Sequence, residues 1–112
     1  MPASLAAAIE AEIGGPTEPR VNPVTSSVGT SVARIASANP NRFALTIVNL
    51  GAVAIYVAPD NAPSSTRGIR LAPSGGALTL NWRDDFQLAG WDWFAIADAA
   101  ATAIFVMEVN AR

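Results

Sequence analysis

Asp84, Asp85 and Asp92 are the residues of this chain best spaced for chemistry, three carboxylates in one short stretch beside Arg83. Neighbouring carboxylates can divide acid and base roles when one raises the pKa of the other. A calcium loop needs oxygen ligands at alternating positions around a Gly, and this stretch lacks that spacing. The preference of Asp for turns, with Arg83 adjacent, makes a solvated β-turn the simpler reading. Arg67, Arg70 and Arg83 have the fork geometry that grips phosphate or carboxylate. Pairing with Asp60, Asp84 or Asp85 across strand ends accounts for them more simply.

The residue types that are missing narrow the chemistry further. There is no Cys and no His, and all seven basic residues are Arg. Disulfides, zinc ribbons, thiol nucleophiles, Ser-His-Asp arrangements and histidine-ligated metal sites are thereby excluded. Without Lys there is neither a Schiff base nor a phosphate loop. Ser64-Ser65-Thr66 and Ser74-Gly75-Gly76 fit loops, and no G-x-S-x-G elbow is present. No catalytic, cofactor-binding or metal-ligating residue is assigned, and the chain is expected not to be an enzyme.

Half of the 112 residues (51%) are hydrophobic and only 14% are charged, below the roughly 25% of an ordinary domain. So little charge leaves some surface to be hidden against partners. The net charge of −2 argues against nucleic acid, whose phosphates call for clustered Lys or Arg. No run reaches the ~20 apolar residues of a membrane span. Glu10 and Glu12 stand where a signal peptide would be apolar, so a soluble chain is expected.

The remaining pattern supplies the elements. Ser4 is a fitting N-cap for a helix over 4–13, which Gly14-Gly15-Pro16 stops. Leu5, Ile9 and Ile13 repeat every four residues as one apolar stripe. A helix this short is marginal alone in water, so the stripe either packs on its own domain or docks on a neighbouring subunit. GGPTEPRVNP, 14–23, reads as an extended Pro-rich linker. From there on the chain reads as β, starting with one strand or two short ones broken at Gly29. Phe43, Leu45 and Ile47 alternate with Ala44, Thr46 and Val48, and Val53, Ile55 and Val57 repeat the pattern. Leu78, Leu80 and Trp82 alternate along another strand, and Ile104 and Val106 against Phe105, Met107 and Val109 along the last. RFALTIVNLGAVAIYVAPD, 42–60, reads as a hairpin turning at Asn49 to Ala52 with no ligand there. Seven or eight short strands with turn signals between them point to an antiparallel sandwich or barrel.

Trp82, Trp91 and Trp93 are a local concentration of the largest side chain. Trp91 and Trp93 are predicted to share one face of a strand. They suit a core, a subunit interface or a platform for sugar stacking.

The ordering Arg42 to Gly51, Gly68 to Gly76, Phe94 to Ala97 and Val106 to Val109 resembles a pattern in small tailed-bacteriophage virion proteins. It reads R-x-x-apolar-x-apolar-x-Asn-x-Gly, then Gly-Ile-x-Leu-x-Pro-x-Gly-Gly, then aromatic-Ala-Ile-Ala, then Val-x-Glu-Val. The resemblance implies a β-sandwich that decorates or cements capsids, commonly as a trimer, or a related head-fibre or tail module. It offers no catalytic residues and is silent on the N-terminal forty residues.

The resulting expectation is an all-β, jelly-roll-like antiparallel sandwich over 24–112 preceded by an arm over 1–23. Its function would be to bind the exterior of a phage head and stabilise it, as a homotrimer on the major capsid protein. Trp91, Trp93 and Phe94 are the candidate residues for self-association, and Leu5, Ile9 and Ile13 for partner docking. No cofactor, nucleic acid or membrane is expected, and the site of action would be the virion surface after synthesis in the bacterial cytoplasm. The rival reading is a receptor- or glycan-binding module of a head fibre or tail, using exposed Trp and the 59–68 loop.

Overall fold

Strand β4 (Arg42–Asn49) shows how the pattern becomes a layer. Leu45, Ile47 and Asn49 point inward and are buried, while Thr46 and Val48 on the other face are only half-buried. In the computed structural model, which describes residues 4–21 and 27–111, β4 pairs antiparallel with β7 (Ala77–Asn81) and β9 (Thr102–Ala111). β1 (Thr17–Val21) and the short β2 (Ser27–Val28) both pair with β9, giving the order β1-β9-β4-β7. The second sheet holds β3 (Ala33–Ala36), β8 (Trp93–Ala97), β5 (Ile55–Ala58) and β6 (Ile69–Leu71), in the order β3-β8-β5-β6.

With β1 and β2 counted as one position, these two four-stranded sheets have the double Greek-key order of a jelly roll. The core lies between them. Ile35, Leu45, Ile47, Ile55, Val57, Trp93, Ala95 and Val106 are each at most 1% exposed. The all-β sandwich expected from the alternation is the fold observed.

Three local expectations change. First, 42–60 is not a hairpin, because β4 pairs with β7 and β9 whereas β5 pairs with β6 and β8. The Asn49–Val53 stretch carries the chain across the sandwich. Asn49 is fully buried and takes over the backbone bonding there: its Nδ2 donates to the carbonyls of Val53 (2.8 Å) and Leu71 (3.0 Å), and its Oδ1 accepts from Gly51 N (2.9 Å). Its assigned task of turning the chain stands, between sheets and not between paired neighbours.

Second, the stretch read as a linker contains β1, with Thr17 opposite Ala111 and Val21 opposite Met107. Pro19 is tolerated because β1 sits at a sheet edge, where a missing N–H costs little. Residues 22–23 of that linker, and the 23/24 boundary of the arm, lie outside the described residues. Third, Trp82 leaves the strand it was expected to extend. Asn81 caps a single helical turn, α2 (Trp82–Asp85), followed by a 3₁₀ turn over Phe86–Gly90.

The predicted N-terminal helix is present as α1 (Leu5–Ile13). Ser4 Oγ accepts from Ala7 N at 3.2 Å, and Gly14 closes the helix in the left-handed conformation, φ +84°. None of its residues is buried.

Candidate functional site

β4 begins with a bulge. Arg42 pairs with Asn110 and Ala44 with Val109, so Phe43 is the extra residue. The bulge puts the Arg42 side chain into the end of the core, where it is 2% exposed. There its NH1 donates to Glu108 Oε2 at 3.2 Å and to Ser37 O at 2.9 Å. Its Nε donates to Ala89 O at 2.8 Å and its NH2 to Trp91 O at 2.6 Å. A buried guanidinium must have its donors met, and here, besides Glu108 of β9, the acceptors that meet them belong to two surface segments, 37–41 and 86–91.

Further bonds hold the same segments together. Asn39 N donates to Gly90 O at 2.9 Å, and a Cβ at Gly90 would lie 2.7 Å from Asn39 O, so only Gly allows this approach. Asp92 Oδ1 accepts from Ala38 N at 2.8 Å and lies 3.7 Å from Arg34.

On this anchored base lies a groove of about 560 Å³ walled by Pro40, Phe43, Trp82, Phe86, Gly90 and Trp91. Phe43 and Trp82 meet edge to face with centroids 6.4 Å apart, and Arg83 covers the Trp82 ring at 5.0 Å. Phe86 is 73% exposed and Trp91 53%. These two also line an adjoining hollow of about 450 Å³ that reaches Asp60 and Leu88. Phe86 has φ +54° and ψ −130°, the first corner of a type II′ turn, where Gly is the favoured residue. A phenylalanine there costs of order 1–3 kcal/mol in backbone strain, and so exposed a ring recovers little of that within the monomer.

The residues proposed for self-association are therefore divided. Trp91 is on the groove. Trp93 is 1% exposed, fills the core and donates Nε1 to Leu88 O at 2.9 Å, so it is unavailable to a partner. Phe94 is half-buried on the outer face of β8, opposite Arg34 and Ala58. Trp91 and Trp93 do not share a strand face, because β8 starts only at Trp93 and Trp91 is held back by Arg42. Compared with known proteins, the chain matches no family model and no curated sequence.

The carboxylates are also apart. Asp85 Oδ2 accepts from Asn81 N and Asp84 Oδ2 from Asn81 Nδ2, both at 2.9 Å, while Asp84 N donates to Asn81 Oδ1. That is reciprocal capping of α2, and Asp92 lies on another segment. Asp60 pairs with Arg67, whose NH1 also donates to Ala62 O at 2.9 Å. This hydrogen bond from Arg67, helped by Ala62 N, lowers the Asp60 pKa to about 2. The expected Asp60 pairing is thus found, whereas Arg83 reaches Glu12 of α1 instead of Asp84 or Asp85. Of the stripe on α1, Leu5 is 77% exposed and Ile9 and Ile13 are half-buried, none of them reaching the core. Among the described residues no group of three or more potential metal ligands comes together, and no helix is long and apolar enough to cross a membrane.

Phe43, Phe86, Arg42 and Glu108 were not singled out as site residues from the sequence. A signal for the last two existed: each is a lone charge set in a strand of apolar residues, and the signs are opposite.

Proposed function

We propose that this chain is a non-enzymatic structural protein of a bacteriophage particle, which binds the outside of the head and stabilises it. It acts as a homotrimer on the major capsid protein, with no role for nucleic acid, membrane or cofactor, and resides on the virion after synthesis in the bacterial cytoplasm. The observation that carries this reading is Phe86, an exposed aromatic ring held out by a backbone conformation suited to Gly. With Trp82 and Trp91 beside it, it forms an apolar surface of the residue types enriched in interface hot spots. A chain with only 14% charged residues has reason to cover such a surface.

The jelly roll agrees with this reading by analogy, since the architecture serves viral capsid domains and lectins alike. The resemblance over 42–109 supplies the virion context. Each subunit adds modest contacts, and a ring of subunits accumulates them through multivalency.

Mass spectrometry of purified particles of the encoding phage tests the reading: the chain is expected in structural copy numbers, and its absence would overturn it. The exposed faces of Trp82 and Trp91 favour one second reading, a glycan- or receptor-binding module. Trp91-dependent hits on a glycan array, without head binding, would establish that one instead.

A further inference from the structure

Two apolar features of this chain are left open at the same end of the sandwich. One is the aromatic groove, next to the first residue of β4 and the last of β7. The other is the stripe of Leu5, Ile9 and Ile13 on α1, which precedes β1, whose Thr17 pairs with Ala111 at the end of β9. We propose that α1 is an exchange arm whose stripe seats in the Phe43–Trp82–Phe86–Trp91 groove of a second copy of this chain. The inference rests on the reading of the chain as an assembly protein, and it moves the arm from the capsid shell to a neighbouring copy.

Reach, charge and chain connectivity support a second copy as the occupant. The molecule measures 49 Å along its long axis and 23 by 21 Å across. A ten-residue strand such as β9 spans about 33 Å and a nine-residue helix about 14 Å, so α1 projects beyond the end of the sandwich. Only Gly14, Gly15 and Pro16 separate Ile13 from Thr17, which is fixed in register. At its base Glu12 meets Arg83, the residue that covers Trp82 at the groove wall. The tether thus brings α1 as far as its own groove's edge and leaves the stripe unseated, with Leu5 77% exposed and Ile9 and Ile13 only half-buried.

The same complementarity is available between copies. Glu10 and Glu12 flank Ile9 and Ile13 on the arm, and Arg83 stands beside the groove. A nine-residue helix is marginal without packing, while a second copy offers it aromatic walls and a cation. Phe86 then has a reason to stand out at 73% exposure, since it would close over the incoming helix.

Full-length chains carrying point substitutions test this by sedimentation velocity at micromolar concentrations. Leu5→Asp with Ile9→Asp disables the arm at one exposed and one half-buried position, and Trp91→Ala with Phe86→Gly disables the groove. Far-UV circular dichroism checks that both fold. The wild type is expected to associate, and each variant alone to associate at least about tenfold more weakly, the effect of losing roughly one buried apolar side chain. An equimolar mixture of the two variants regains one arm–groove contact and forms a one-to-one pair and nothing larger.

A monomeric wild type, an arm variant that associates like the wild type, or a mixture that stays monomeric would each overturn the proposal. So would saturation of the groove by a saccharide in a monomeric wild type. Oligomers that pass the mixing test in a protein absent from particles would sink the capsid reading alone. Head-bound monomers would sink the exchange arm alone.

Discussion

The Arg42 guanidinium and the Glu108 carboxylate form an ion pair at 3.2 Å, with side chains 2% and 7% exposed, directly beneath the aromatic groove. Arg42 also holds the carbonyls of Ser37, Ala89 and Trp91, so one buried charge links the core to the surface above it. Asn110 Nδ2 donates to the other Glu108 oxygen at 3.3 Å, which keeps the carboxylate in place. Arg42→Met should therefore destabilise by about 3–5 kcal/mol, the range for stranding a buried partner. Glu108→Gln keeps an acceptor and should cost less, about 1.5–3 kcal/mol. Urea denaturation measures both. The Arg42 variant should also raise amide exchange across 86–91, which a purely global effect would not confine there.

Phe86→Gly should stabilise the isolated chain by about 1 kcal/mol, since Gly adopts φ +54° without strain and the lost ring is 73% exposed. Thermal unfolding of the monomeric form reads this out. A loss of stability would mean that the ring packs within its own subunit.

Asn49→Ala removes three side-chain hydrogen bonds at a site with no exposure. At about 1 kcal/mol each, the expected loss is about 3 kcal/mol by denaturant titration. Gly76→Ala should cost at least as much, about 3 kcal/mol or more, because its Cβ would lie 2.3 Å from Ala72 N and 2.5 Å from Ala72 O, both backbone atoms.

Asp60 has a depressed pKa of about 2 against an ordinary 3.8, so its pairing with Arg67 favours the folded 59–68 loop. The sign follows directly. That contribution is fully present above pH 3.8 and is lost as the pH falls through about 2. A carboxyl NMR titration should place Asp60 well below the ordinary aspartate value of 3.8, and Arg67→Leu should return it toward that value. An unchanged Asp60 titration in that variant would show that Arg67 is not the cause.

How much was legible follows from where each signal lives. Alternation in 45–48 and 104–106 reports burial directly, so the strands and the sandwich core could be read off. Pairing partners could not, because period-two alternation is the same in a hairpin and in a crossover, and 42–60 was therefore misread. β1 was hidden by Pro19 and by its charges, Glu18 and Arg20, which an edge strand accepts. Trp91 and Trp93 look alike at a spacing of two, but Arg42, far off in sequence, separates them. The groove depends on a bulge and a left-handed phenylalanine, neither of which leaves a compositional mark. The two motifs R-x-x-apolar and Val-x-Glu-Val do contain Arg42 and Glu108, although nothing in either says that they meet.

The decisive measurement is the temperature at which purified phage heads lacking this chain release their genome, with and without added protein. Saturating wild-type chain should bind the heads and raise the release temperature, while the Trp91→Ala, Phe86→Gly chain at the same concentration should do neither. Heads that release their genome at one temperature whether or not the wild-type chain is present would contradict the proposed function.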